Sequence, residues 1–127
     1  MKLLNGLLLA LLLTATLTSC GKDDEIKGIV GTWEGKWGFG ELTPDVYEKW
    51  ELKKNGELVA YDDDGDLYAS GTWSVDGVHF EAEYTPTGYN YSYSFSGLYG
   101  EAIDEIIGNW GSTPSSTDGG TFEMYKK

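Results

Sequence analysis

LYASGTWSVDGVHFEAEY, residues 67–84, decides the fold. Its centre, Asp76-Gly77, is a dipeptide that tolerates the positive φ angles of a two-residue hairpin turn. On the arm before it, Leu67, Ala69, Gly71, Trp73 and Val75 alternate with Tyr68, Ser70, Thr72 and Ser74. On the arm after it, Val78, Phe80, Ala82 and Tyr84 alternate with His79, Glu81 and Glu83. Successive side chains of a strand point to opposite faces, so a period of two marks strands packed on one side and wet on the other. The two arms share one apolar face.

The same grammar extends in both directions. Asn55-Gly56 is a second hairpin dipeptide; before it Val46, Glu48, Trp50 and Leu52 alternate with Tyr47, Lys49, Glu51 and Lys53. Further on, Tyr89, Tyr91, Tyr93 and Phe95 alternate with Asn90, Ser92, Ser94 and Ser96. The pattern predicts strands at 28–38, 46–54, 57–61, 66–75, 78–84, 89–99, 104–111 and 119–126. Residues 101–107 read two ways, as a hairpin or as a short helix, because Ala102, Ile103, Ile106 and Ile107 also fit about one and a half helical turns. Short connections make sequence neighbours pair, so the expected architecture is all-β, an eight-stranded antiparallel up-and-down barrel. An immunoglobulin-like sandwich would need longer crossovers and, in its true members, a cysteine pair.

The N-terminus has a different character. MKLLNGLLLALLLTATLTS carries one positive charge, Lys2, and then an apolar run that fades into small residues, the pattern of a secretory signal. A membrane-spanning helix needs about 20 consecutive apolar residues, and this run is shorter and broken by threonines. Leu17-Thr18-Ser19-Cys20 resembles a bacterial lipobox, which implies cleavage before Cys20 and lipid on its sulfur and new amine. The acidic run behind it, Lys22-Asp23-Asp24-Glu25, is similar to the export signal of Bacteroidota-type surface lipoproteins. The expected organisation is a lipoprotein signal peptide at 1–19, a lipidated acidic tether at 20–27 and a barrel domain at 28–127. The expected location is the outer membrane, lipid-anchored and facing the cell exterior.

Charge narrows the partners. The 127 residues hold 9 basic and 21 acidic side chains, and none of the basic ones is arginine. Nucleic-acid binders neutralise phosphates with clustered Lys and Arg, and bidentate phosphate or carboxylate clamps use the guanidinium fork. Neither is expected; the acidity suits a basic protein or a cation.

One phrase recurs: Gly31-Thr32-Trp33, Gly71-Thr72-Trp73, Gly108-Asn109-Trp110 and Gly120-Thr121-Phe122. Its spacing is too irregular for a propeller or solenoid. A glycine two residues before a large ring leaves room beside it or lets the strand bend. These phrases, together with Trp50-Glu51-Leu52 before Asn55-Gly56, resemble the small lipocalin-like lipoprotein domains of Gram-negative Bacteroidota-type bacteria. The resemblance implies an eight-stranded barrel with a cup.

Candidate chemistry is sparse. Asp62-Asp63-Asp64-Gly65-Asp66 looks like a calcium loop, but its glycine is one position early and Trp73 stands where a bidentate glutamate is required. A solvated hairpin turn is expected there and no metal site. His79, Glu81 and Glu83 share a strand face, yet lie about 6.8 Å apart in succession, too far to converge on one ion. There is no second histidine and no G-x-S-x-G elbow, so neither catalysis nor a cofactor is expected. The chain also has five tryptophans, nine tyrosines and four phenylalanines. Their two roles are to fill a narrow barrel or, at Trp33, Trp37, Trp50, Trp73, Tyr91 and Tyr93, to line a cup for an apolar or sugar-like ligand with Glu48 as an inward polar handle. The expected function is ligand binding; the competing ones are an acidic module that masks a basic protein, and a structural accessory of an outer-membrane complex.

Overall fold

The computed structural model describes residues 28–127; the expected signal peptide, Cys20 and the expected acidic tether lie outside the described residues. Eight strands, β1 (Gly31–Phe39), β2 (Val46–Leu52), β3 (Glu57–Tyr61), β4 (Leu67–Asp76), β5 (His79–Pro86), β6 (Tyr93–Gly100), β7 (Glu105–Ser112) and β8 (Gly120–Lys126), form a closed antiparallel up-and-down barrel in sequence order. The seam pairs β1 with β8, from Trp33 opposite Lys126 to Phe39 opposite Gly120.

The opening hairpin forms as its pattern predicts, with one shift. Asp76 pairs with His79, so the two loop residues are Gly77 and Val78, and Gly77 takes the positive φ of 63°. Val78 therefore leaves the apolar face and is exposed, whereas Phe80, Ala82 and Tyr84 are buried. At the start of β4 the alternation breaks. Ala60 pairs with Ala69 and Tyr61 with Leu67, which leaves Tyr68 unpaired in a β-bulge. The extra residue turns Leu67 outward, 56% exposed, and packs the Tyr68 ring against the core.

Gly71 shows what the glycine of the recurring phrase does at one of its occurrences. A Cβ there would run into the backbone of Glu83 and Tyr84, so glycine lets β4 and β5 approach closely where the barrel curves, two residues before the bulky Trp73.

The barrel has a closed and an open end. At the closed end residues 28 and 29 are helical, Ile29 is fully buried and its carbonyl accepts the Trp33 indole N–H at 2.8 Å. Trp73 finishes this end by donating its indole N–H to the Lys53 carbonyl of the β2–β3 turn at 3.0 Å. Residues 101–107 resolve into a three-residue 3₁₀ turn, Glu101–Ile103, and the first residues of β7. Its apolar residues divide accordingly: Ile106 is fully buried in the barrel and Ile103 is 67% exposed. The interior between the ends is filled by rings. Trp50 stacks on Phe80 at 5.9 Å and meets Phe95 edge-on at 5.2 Å, and Phe122 closes the group.

Candidate binding site at the open end of the barrel

The open end gathers the last residues of β1, β3, β5 and β7 and the first of β2, β4, β6 and β8. Alternation fixes which side chains point inward there. On β2, Glu48 shares the inward face with Trp50 and Leu52 and is only 3% exposed. Buried carboxylates require partners, and this one has two: the Trp50 indole N–H donates to Oε2 at 2.6 Å and the Tyr84 hydroxyl donates to Oε1 at 2.8 Å. No lysine pairs with it; the ion pairs among the described residues are Lys53–Glu57 and Lys127–Glu34. Loss of water raises the Glu48 carboxyl to about 7, against the lowering effect of the two hydrogen bonds. Burial together with the neighbouring Glu48 charge pushes the Tyr68 hydroxyl up to about 12.

Two recesses lie at this end and share Trp37 and Tyr68; Glu48 lines the wider one. The wider is an open hollow of about 430 Å³, with Glu48 at its floor, Trp37, Tyr47 and Tyr68 as walls, and Asp45, Asp62 and Asp63 at its border. The narrower is a crevice of about 50 Å³ between Trp37, Tyr68, Tyr84, Tyr93, Phe95 and Trp110, with Phe39 at its lip. Trp37 meets Trp110 edge-on at 5.1 Å, and Tyr93 meets Trp110 at 5.6 Å. From this crevice a chain of rings climbs into the β5–β6 loop, Tyr93 to Tyr91 at 5.6 Å and Tyr91 to Tyr89 at 5.1 Å.

The structure divides the residues singled out by sequence. Trp37, Glu48 and Tyr93 come together at the open end, and Tyr91 stands above them, 46% exposed, in the loop before β6 instead of within a strand beginning at 89. Trp33 and Trp50 are fully buried and Trp73 is 7% exposed against the closed end, so these three belong to the packed interior and line no cup. The reason is volume. An eight-stranded barrel is just wide enough for its own side chains to fill, and the crevice left over matches little more than one water, each taking about 30 Å³. Of the two roles read for the rings, Trp33, Trp50 and Trp73 take that of filling the barrel, and the space left for a ligand is a shallow one at the open end. Sequence reasoning missed Tyr68, which the bulge turns inward, and did not assign Tyr84 and Trp110, whose inward parity was legible from their own strands.

The acidic turn is built by its own first residue. Asp62 Oδ1 accepts the backbone N–H groups of Asp64 and Asp66 at 3.0 and 2.9 Å, and Gly65 takes a φ of 83°. The carboxylates of Asp62, Asp64 and Asp66 approach within 4.8 Å of one another at the surface. His79, Glu81 and Glu83 are exposed on the outer wall. No helix among the described residues is long and apolar enough to cross a membrane. Compared with known protein families, with curated proteins and with solved structures, the chain matches none.

Proposed function

We propose that this chain is a lipid-anchored protein of the outer membrane, held through Cys20 and facing the cell exterior, whose lipocalin-like barrel binds a small ligand at its open end without transforming it. The observation that carries the binding reading is the buried Glu48 carboxylate at the floor of a hollow walled by Trp37 and Tyr68. Ligand sites pair an apolar or aromatic wall with a few placed polar groups in just this way. The hollow suits a ring-sized apolar or sugar-like molecule, whereas a fatty acid or retinoid would need interior space that the rings already occupy. The anchor is supported by the lipobox-like Leu17-Thr18-Ser19-Cys20, and surface display by Lys22-Asp23-Asp24-Glu25.

The test is a titration of the isotope-labelled protein with monosaccharides, aromatic metabolites and small amines, followed by NMR. The expected result is shifts at Trp37, Tyr68 and Tyr93 with Trp33 and Trp50 unmoved. Silence at the open end across the whole set overturns the reading. A second reading, an acidic module for a basic protein, is favoured by the outer wall, where Glu81 and Glu83 border a groove of about 330 Å³; salt-sensitive binding of a basic protein that Glu81→Gln with Glu83→Gln abolishes would establish it.

A further inference from the structure

We infer that the open-end hollow receives a small amine, its ammonium or quaternary ammonium group lying against the Glu48 carboxylate and across the Trp37 and Tyr68 rings. This rests on the reading of the open end as a ligand site and narrows its chemistry.

The first observation is the uncompensated carboxylate. Each Glu48 oxygen accepts one hydrogen bond, from Trp50 or Tyr84, and no cation of the described residues pairs with it. A carboxylate can accept about four hydrogen bonds, so half of that capacity is open. A buried anion without a countercharge is the arrangement to which an arriving cation contributes most.

The second is the wall. Aromatic faces attract ammonium groups within about 6 Å of the ring centroid. Trp37 and Tyr68 border both recesses and line the wider one together with Glu48. The fold makes the same contact elsewhere with its own lysine, Lys49 Nζ lying 5.1 Å from the Tyr61 ring centroid on the outer wall.

The third is the border. Asp45, Asp62 and Asp63 add negative charge around the hollow, and no basic side chain lines it. An anionic ligand meets only like charge there. A neutral one leaves the floor uncompensated.

The experiment uses the full-length protein and three pairs of probes that share a shape and differ in charge: choline with 3,3-dimethylbutanol, tryptamine with tryptophol, and phenethylamine with 2-phenylethanol. Binding is read from the Trp37 indole and the Tyr47 and Tyr68 amide NMR signals at about pH 8, where amine and carboxylate are both charged. At least one amine should shift these signals and bind about tenfold or more tightly than its neutral partner, a difference of about 1.4 kcal/mol. Glu48→Gln, which keeps the shape and removes the charge, should bring that ratio close to one. If circular dichroism shows that Glu48→Gln does not fold, Tyr68→Leu should reduce the amine affinity about threefold or more beyond any loss of the alcohol, lowering the amine-to-alcohol ratio by that factor. Equal binding of amine and alcohol overturns the inference and leaves the ligand site standing. So does the absence of a shift with every amine at about 10 mM, and the site itself falls only if sugars and neutral aromatics are silent as well.

Discussion

Glu48→Gln should change the pH dependence of stability in a calculable direction. The folded-state carboxyl is raised from 4.5 to about 7, chiefly because burial removes its water. Between those values the folded protein holds a proton that the unfolded chain has released. Stability from this group is therefore fully present below about pH 4.5 and is lost as pH rises through about 7, the reverse of an ion-paired carboxylate. A shift of this size is worth about 3 kcal/mol, at about 1.4 kcal/mol per unit. For a domain of this length that amounts to a fall in Tm on the order of 10 °C or more. The other acidic groups also repel one another as they ionise, so the wild-type slope alone does not isolate Glu48. The difference does. Urea unfolding at about pH 5, 6, 7 and 8 should give a wild-type curve that falls by about 2.5 kcal/mol relative to that of Glu48→Gln, the rest of the span lying below pH 5. The glutamine offers one acceptor oxygen to two donors, Trp50 Nε1 and the Tyr84 hydroxyl, so the variant should start lower at pH 5 by about 1–3 kcal/mol and meet or overtake the wild type near pH 8. Parallel curves across this range would refute the reasoning, because they would mean that Glu48 titrates alike in the folded and unfolded chains.

Trp50→Ala should cost about 3–5 kcal/mol in urea unfolding, since it removes a fully buried ring packed on Phe80, Phe95 and Phe122; Trp37→Ala, at the half-buried rim, should cost clearly less. Cys20→Ser should abolish incorporation of radiolabelled fatty acid and release the protein from membranes; retention of the variant would defeat the anchor. Millimolar calcium should raise the melting temperature by no more than about a degree, because Asp62 Oδ1 already serves two backbone N–H groups. A rise of several degrees that Asp64→Ala removes would show a calcium site in the 62–66 turn.

How far the sequence could be read follows from what alternation encodes. Period two states which face a side chain takes, and it placed Phe80, Ala82, Tyr84, Trp50 and Trp33 correctly inside. It says nothing of depth along the barrel axis, so Trp33, Trp50 and Trp73 looked equivalent to Trp37 although they fill the interior and Trp37 borders the open hollow. Alternation also runs on through loops. Tyr89 and Tyr91 continue the period of Tyr93 and Phe95 and extend the expected strand to 89, yet β6 begins at Tyr93. Conversely, a bulge interrupts the period without a sequence mark, which is why Tyr68 read as an outer residue. The open-end site depends on that one inserted position and on an axial coordinate, and both are tertiary facts. The short apolar cluster at 101–107 stayed ambiguous because the turn Glu101–Ile103 and the strand from Glu105 each use half of it.

The seam between β1 and β8 sets the order in which the chain can complete itself. Every other ladder joins consecutive strands, so seven strands can zip up as successive hairpins while synthesis proceeds. The final ladder brings Trp33 opposite Lys126 and Trp37 opposite Phe122, nearly the whole length of the domain apart. The entropy of closing a long loop grows only slowly with its length, but no part of this ladder can form until residues 120–126 have been made. Until then β1 and β7 are both edges, with unpaired backbone groups beside a half-covered aromatic interior, the condition that favours pairing with another copy. The last seven-residue strand is thus what converts a sticky ribbon into a molecule without edges, and a chain that ends before Gly120 would keep the ribbon.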